Sequence, residues 1–168
     1  RLTQMIDTFL MVYVIASRIF ELILSSKNTK ILLKEGATEY YGFHYKFIVG
    51  FHLIFILFFL VKSLLVTNVN LFYLYIFFGI QILRYRIIYE LGKYWTTRIL
   101  VINKPLIKTW MFKYFRHPNY IVVLFETILI CLFFNDFYSL FFFTIINFVL
   151  LCIRIFYEEK ANKYRRML

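Results

Sequence analysis

The sequence predicts an all-α integral membrane protein with about five transmembrane helices, the last two of which form a tight helical hairpin. Hydrophobic residues make up 62% of the 168-residue chain, whereas roughly 45–50% is usual in soluble domains. These residues form long runs with short polar breaks, and the basic residues gather in the breaks. Together the three observations predict a single membrane domain over residues 1–168.

Five apolar segments predict the helices. In chain order they are Met5–Leu24, Phe47–Val66, Leu71–Ile88, Tyr120–Phe134 and Phe137–Ile155. A membrane-spanning helix needs about 20 residues, so the last two are short, and only Asn135 and Asp136 join them, which predicts a tight turn. The first three helices fall within residues 1–91, whereas residues 92–168 hold an interfacial segment, the hairpin and two polar motifs.

The positions of the cations predict the orientation. Of the 20 Lys and Arg residues, all but Arg1 and Lys62 lie in residues 18–46, 84–116 and 154–166. With five spans, these regions face one side, which the positive-inside rule makes cytoplasmic. We therefore expect the amino terminus outside and the carboxyl terminus inside. The net charge of +11 then reflects contact with membrane lipid rather than nucleic acid, and the sequence indicates no protein partner.

Two polar motifs flank the predicted hairpin: RHPNY at Arg116–Tyr120 and RIFYEEK at Arg154–Lys160. His117 lies about 18 residues before the turn and Arg154 about 18 residues after it, so antiparallel helices place both at one depth. Arg154 and Glu158 are four residues apart and share a helix face. These residues predict a pocket of mixed charge at the cytoplasmic membrane surface.

A zwitterion with an aromatic base fits such a pocket. Carboxylates bind an ammonium group or hydroxyls, an arginine binds a carboxylate, and aromatic side chains stack on a base or face a sulfonium. S-adenosylmethionine has all of these parts. Alternatively, the same residues only anchor the helices at the membrane interface, where Arg, Lys, Tyr and Trp are enriched.

The order and spacing of the two motifs resemble those of the isoprenylcysteine carboxyl methyltransferase family, whose pattern is RHPxY, two membrane helices and RIxxEE. The first half of the chain, with Ser17–Tyr45 and His52, is similar to a bacterial branch that includes enzymes methylating oxygen atoms of alkylpyrones and related lipid phenols. The resemblance implies a bacterial inner-membrane enzyme that binds S-adenosylmethionine at the cytoplasmic face without a Rossmann domain. In agreement, the five glycines form no G-x-G-x-x-G motif.

The resemblance also implies roles for individual residues. Arg154 would lie where the methyl donor and the acceptor meet, with Glu158 as the second catalytic residue. The implied cofactor-binding residues are Arg116, His117, Pro118, Asn119, Tyr120, Glu158 and Glu159.

Methyl transfer from a sulfonium requires alignment of the two reactants and a dry site. A carboxylate acceptor needs no base, whereas a phenol or enol needs a lowered pKa or a proton acceptor, and Arg154 suits both. The sequence therefore predicts an O-methyltransferase acting on a hydrophobic, lipid-like substrate. Arg154 would repel an ethanolamine ammonium, which disfavours phospholipid N-methylation. A non-enzymatic membrane binding or scaffold protein is the other alternative.

Other polar residues lie within or beside the apolar segments. Glu126, deep in the fourth helix, is a candidate for substrate binding, although a hydrogen bond to a neighbouring helix explains it nearly as well. His44, near the interface, is a candidate contact for the substrate head group. His44 and His52 lack the Cys or carboxylate partners of a tetrahedral site, so no metal is predicted. Arg18 and Glu21 predict an ion pair within the first helix.

The segment Gly92–Pro105 predicts an excursion along the membrane interface. Its Tyr94, Trp95 and Arg98 either cover the cofactor or anchor the chain, because aromatic and basic side chains serve both purposes. The sequence leaves these roles open, together with the identity of the methyl acceptor and the oligomeric state.

Overall fold

The computed structural model describes residues 2–65, 68–104, 112 and 114–163, with side chains from residue 5 onward. Most of these residues lie in five helices: α1 (Leu2–Lys34), α2 (Gly42–Leu65), α3 (Leu71–Leu91), α4 (Pro118–Phe133) and α5 (Phe137–Ala161). Strands β1 (Thr38–Tyr40) and β2 (Ile99–Val101) pair antiparallel, and a 3₁₀ turn at Gly92–Tyr94 follows α3. The predicted helical fold is confirmed, whereas the two-stranded ribbon was not predicted.

Four helices of the described chain are long and apolar enough to cross a membrane: Met5–Lys34, Gly42–Leu65, Leu71–Tyr94 and Phe137–Ala161. Helix α4 is also apolar but has 16 residues, so its length of roughly 24 Å is less than the hydrocarbon thickness of about 30 Å. The predicted fifth span therefore stays a prediction. Val66 and Pro105, where two predicted segments end, lie outside the described residues.

Helix α1 continues past its predicted end at Leu24 and stops at Lys34. The extension carries Ser25 and Asn28, which are buried because they hydrogen-bond to the segment after α3. A hydropathy pattern ends where polar residues begin, but a helix continues where those residues find tertiary partners. Gly36 follows the helix with φ +90°, a left-handed conformation that favours glycine.

Side chains cap two of the other helices. Asn70 accepts a hydrogen bond from the Phe72 N–H at 3.1 Å at the start of α3. At the start of α5, Asp136 accepts from the Ser139 N–H at 2.9 Å and pairs with Lys62 near the end of α2. Burial raises the pKa of Asp136, but hydrogen bonds from Lys62 and Ser139 outweigh burial and hold that pKa below its usual range. The turn before α5 is thus tied to α2.

Phenylalanine rings fill the core between α2 and α5. Phe51, Phe55 and Phe59 recur every four residues along α2, share one face and are all buried. The ring of Phe143 on α5 meets that of Phe55 edge-on at 5.1 Å between centroids, an arrangement that aromatic quadrupoles favour. Helix α3 packs on α4, α4 on α5, and α1 on α2. The outward faces carry large exposed apolar side chains such as Tyr138, as expected for a surface that faces lipid.

Candidate active site

Tyr120 on α4 and Arg154 on α5 form the centre of the candidate site. The Nε–H of Arg154 donates to the Tyr120 hydroxyl oxygen at 2.8 Å, and that hydroxyl donates to Glu158 Oε2. The guanidinium carbon of Arg154 lies 5.3 Å from the centroid of the Tyr120 ring, which adds a cation–π attraction. Because Arg154 and Glu158 are one helical turn apart, a single tyrosine holds both. The two motifs therefore meet.

His117 makes a second contact between the motifs. Its ring stacks on that of Tyr120, with centroids 5.4 Å apart and planes at 15°. Its Nε2 lies 3.4 Å from Glu159 Oε1, and the largely exposed Arg116 approaches the same oxygen at 3.8 Å. Pro118 occupies the first turn of α4, where a missing N–H leaves no helical bond unmade. Basic groups of the first motif thus face carboxylates of the second.

A cavity of about 400 Å³, here termed the first cavity, opens beside these motifs. Its volume lies within the roughly 300–1,000 Å³ typical of small-molecule sites. The wall includes Arg116–Tyr120 from the first motif, Arg154 and Glu158 from the second, and residues of the segment between α3 and α4. Glu159 lies behind His117 rather than in this wall.

A second cavity of about 370 Å³ lies between α1, α2, the amino-terminal end of α4 and the carboxyl-terminal half of α5. Apolar side chains such as Ile15, Ile19, Leu53 and Ile56 form most of its wall. Such a surface suits a hydrocarbon chain, because burying apolar area from water is favourable.

The two cavities share one wall. The residues that line both are Trp95, Thr96, Asn119, Tyr120 and Arg154. Two buried polar atoms in this wall, Trp95 Nε1 and Asn119 Oδ1, have no hydrogen-bond partner among the described residues. Since buried polar atoms are normally paired, these two atoms can form hydrogen bonds with a bound molecule.

Helix α1 holds the segment that carries Trp95. The side-chain amide of Asn28 donates to the backbone oxygens of Gly92 at 3.1 Å and Trp95 at 2.8 Å. The Thr97 N–H donates to Ser25 Oγ at 2.8 Å. Sequence reasoning missed Ser25 and Asn28, and the signal that could have found them is a polar pair at helical spacing just beyond the apolar run.

Arg98, the residue before β2, pairs with Glu39 of β1. Its Nη1 lies 3.1 and 2.9 Å from the two carboxylate oxygens of Glu39, and its guanidinium lies 5.3 Å from the centroid of the Tyr45 ring. Tyr94, Trp95 and Arg98 all line the first cavity. Both roles expected for them, covering a cofactor or anchoring the chain, stay predictions.

Glu126 belongs to a buried ion network that joins α1, α3 and α4. It accepts hydrogen bonds from Arg18 Nη2, Arg84 Nη1 and Gln81 Nε2, each at 2.6 Å. Glu21 accepts from Arg18 Nη1 at 3.0 Å and from two nitrogens of Arg84. The predicted pair of Arg18 and Glu21 is confirmed. Glu126 lines neither cavity, so the geometry gives its predicted substrate role no direct contact, and that role stays a prediction.

The two histidines of α2 lie in different surroundings. His44 is buried, its ring lies 5.6 Å from that of Tyr157, and it lines neither cavity. Its predicted contact with the substrate head group stays a prediction. His52, by contrast, lines the second cavity. Within the described ranges, no three His, Cys, Asp or Glu side chains are grouped so that they could hold a metal.

Comparison with known proteins assigns the chain to a class of membrane methyltransferases. The model of the isoprenylcysteine carboxyl methyltransferase (ICMT) family matches residues 71–163, and the chain belongs to this family. The match covers α3, α4, α5 and both polar motifs, so the predicted family is confirmed.

Two bacterial relatives cover nearly the whole chain. The uncharacterized protein YpbQ of Bacillus subtilis (strain 168) is 34% identical over 157 residues, which cover 90% of this chain and 94% of the relative. An uncharacterized protein of Haemophilus influenzae is 30% identical over 161 residues, which cover 90% and 91%. Both agree with a bacterial branch of the family. No solved structure matches significantly.

The contacts of Asn28 predict that this residue keeps the wall between the cavities in place. Asn28→Ala removes the side-chain donor from the Gly92 carbonyl, which still accepts from the Trp95 N–H, and from the buried Trp95 carbonyl. Leaving such a buried acceptor unpaired costs about 1–3 kcal/mol. We expect faster amide hydrogen exchange across residues 92–101, measured by mass spectrometry. Lys27→Ala, at the exposed neighbouring position, is the matched control and should leave exchange unchanged. Equal exchange in both variants would show that α1 does not hold this segment.

Proposed function

We propose that the chain is an integral membrane methyltransferase that uses S-adenosylmethionine to methylate an oxygen of a hydrophobic, lipid-like substrate. The observation that carries the proposal is the wall shared by the two cavities, at which Arg154 and Tyr120 lie. One cavity is lined by the two charged motifs and the other is mostly apolar. A polar donor in one cavity and a lipid acceptor in the other can therefore meet beside one arginine.

The first cavity fits the methyl donor. Glu158 in its wall suits an ammonium or hydroxyl group, and Arg116 suits a carboxylate. The stacked rings of His117 and Tyr120 offer aromatic faces to a base or a sulfonium. The unpaired buried Asn119 Oδ1 accepts a hydrogen bond from a donor such as an amino group. We therefore assign cofactor binding to the RHPNY motif and Glu158, with Glu159 orienting His117 from behind.

The second cavity fits the methyl acceptor. A hydrocarbon tail can lie along the apolar side chains of α1 and α2, and the head group then reaches the wall that contains Arg154. The resemblance to enzymes of alkylpyrones and lipid phenols supports an aromatic or enolic head group, and a lipid carboxylate is the other acceptor of the same class.

The donor supplies an electrophilic methyl group on a sulfonium. The chain contributes alignment, which can account for roughly 7–11 kcal/mol of a reaction barrier. Arg154 uses its Nε–H for Tyr120, while its terminal nitrogens make no hydrogen bond within the described part of the chain. We assign these nitrogens to the acceptor oxygen, whose negative charge they stabilise.

A phenolic or enolic acceptor must also lose a proton. Tyr120 connects Arg154 to Glu158, so its oxygen can take the proton of the acceptor while its own proton passes to the Glu158 carboxylate. This relay gives Glu158 the role of proton acceptor. A carboxylate acceptor bypasses it. The buried guanidinium of Arg154 disfavours an amine acceptor, because it would repel an ammonium group, and therefore weakens the alternative of phospholipid N-methylation.

We further propose that α4 and α5 cross the membrane as a hairpin within a single five-span domain in the bacterial inner membrane. Asn147 Nδ2 donates to Thr127 Oγ1 at 2.8 Å, and Arg154 bonds to Tyr120 further along both helices. These contacts fit two helices that run side by side in opposite directions. The distribution of cations then puts the candidate site at the cytoplasmic face and the amino terminus outside.

The orientation predicts the labelling of the loop between α2 and α3. In a Cys152→Ser background, a cysteine placed at Asn68 should react with a membrane-impermeant maleimide added to intact cells, and a reporter fused to the carboxyl terminus should indicate cytoplasm. If Asn68→Cys is protected in intact cells but labelled after lysis, the orientation is the opposite of the proposed one.

The first cavity predicts binding of S-adenosylmethionine and of its demethylated product. Purified protein in lipid nanodiscs should bind both with dissociation constants in the micromolar range, close to common KM values of about 1 μM to 1 mM. Isothermal titration calorimetry measures this binding. If the folded protein binds neither compound, the assignment of the cofactor site is wrong.

The position of Arg154 predicts a loss of turnover without a loss of cofactor. Arg154→Lys keeps a positive charge but loses the planar fork of donors, so we expect kcat to fall by about 100-fold, the size of effect seen when one oxyanion donor is removed. The dissociation constant of the cofactor should stay nearly constant, because the lost contact acts mainly in the transition state.

Glu159→Gln is the matched variant for Arg154→Lys, since it changes a charge on the same helix behind the cofactor wall. It should weaken cofactor binding by about 1 kcal/mol and leave kcat nearly unchanged. Thermal melts of both variants separate these effects from instability of α5. Normal turnover of Arg154→Lys would make this residue an anchor rather than a catalyst.

A further inference from the structure

The second cavity has a polar edge besides the one formed by Arg154 and Tyr120. Arg18, Glu21 and Arg84 of the buried ion network line it, and so does His52 of α2. Glu126, to which Arg18 bonds, lies six residues beyond Tyr120 along α4, which corresponds to a depth difference of roughly 9 Å. A hydrocarbon tail makes no favourable contact with charged groups at this depth, so these groups suit a polar part of the ligand.

Arg84 and Arg18 differ in how completely they are paired. Arg84 is 3% exposed and places three nitrogens on the carboxylates of Glu21 and Glu126. The side chain of Arg18 is 20% exposed and uses one N–H for each carboxylate. A guanidinium carries five N–H donors, so Arg18 keeps donors that can reach the second cavity.

The charges of the network indicate which group can bind there. Two arginines and two glutamates sum to zero, so the network needs no further anion. A neutral oxygen can accept a hydrogen bond from Arg18 without disturbing this balance, whereas a second full charge would cost much more to bury.

His52 supplies a second polar group on the opposite helix. It lines the same cavity, and its ring lies 5.3 Å from that of Phe51. No hydrogen bond joins the imidazole to another part of the described chain. A neutral imidazole offers one donor and one acceptor, which matches a hydroxyl or a carbonyl.

We propose that Arg18 and His52 form a recognition site for a second, unmethylated oxygen of the acceptor. The inference rests on the proposed function and narrows its substrate class. The substrate is an amphiphile whose head group carries at least two oxygens, one at Arg154 for methylation and one directed deeper toward Arg18. A single-chain lipid with one terminal oxygen makes only the first contact.

Two probes that carry the same hydrocarbon tail test this site. 5-Pentadecylresorcinol and 3-pentadecylphenol differ by one ring hydroxyl, and their binding to the protein in nanodiscs can be measured by equilibrium dialysis without a methyl donor. The wild type should prefer the resorcinol by about tenfold, the effect of one hydrogen bond to a charged group. His52→Leu should reduce this preference. The charge-balanced variant Arg18→Gln/Glu126→Gln should abolish it.

Leu57→Ala is the control, because Leu57 lies on the same helix with an exposed outward face and should keep the preference. His52→Leu removes no described hydrogen bond and keeps the test valid if the double variant fails to fold. Equal binding of the probes to the wild type, failure of both to bind, or an unchanged preference in His52→Leu overturns the recognition site. The wild type could also prefer the resorcinol, and lose this preference in the variants, but transfer no methyl group after S-adenosylmethionine is added. That result supports the recognition site and contradicts the methyltransferase proposal instead.

Discussion

The register between α4 and α5 is the constraint on which the candidate site depends. It is fixed at two levels by hydrogen bonds of 2.8 Å, between Asn147 and Thr127 and between Arg154 and Tyr120. A slip of one residue along α5 would turn Arg154 by about 100° away from Tyr120. In apolar surroundings such a slip would leave polar groups unpaired, which costs several kcal/mol. The cap at Asp136 sets the register where α5 begins.

Helix α1 connects this pair of helices to the rest of the protein through one polar face. Glu21, Ser25 and Asn28 follow a helical spacing of four and three residues and therefore point the same way. Glu21 enters the ion network with Arg84, while Ser25 and Asn28 hold the segment that carries Trp95. Removing one partner of a buried ion pair typically costs about 3–5 kcal/mol. One helix face thus positions parts of both cavities.

Much of the helical fold could be predicted because hydropathy identifies the segments that are apolar enough to lie in a membrane, whether they face lipid or the protein core. The predicted segment Leu71–Ile88 lies within α3, and the meeting of Tyr120 with Arg154 follows from the short turn and the distances of the two motifs from it. Local patterns could not show that α1 extends past Leu24, since that depends on partners distant in sequence.

The remaining features depend on pairings that no local period encodes. The ribbon strands have three residues each, too few for an alternating pattern to be recognised. The sequence predicts that Glu126 lies deep in an apolar helix, but its partners Arg18 and Arg84 come from two other helices. The similarity to the bacterial branch includes His52 but gives this residue no role. Only the three-dimensional arrangement shows that it lines the second cavity.

Isotope labelling of cellular lipids tests the central claim most directly. Cells that produce the wild-type chain or Arg154→Lys at equal levels are given methyl-labelled methionine, the precursor of the donor, and their lipid extracts are compared by mass spectrometry. The account predicts a lipid with a labelled methyl group on oxygen in wild-type cells and strong depletion of that lipid in the variant. A label on an amine nitrogen, or identical lipids in both cells, would contradict it.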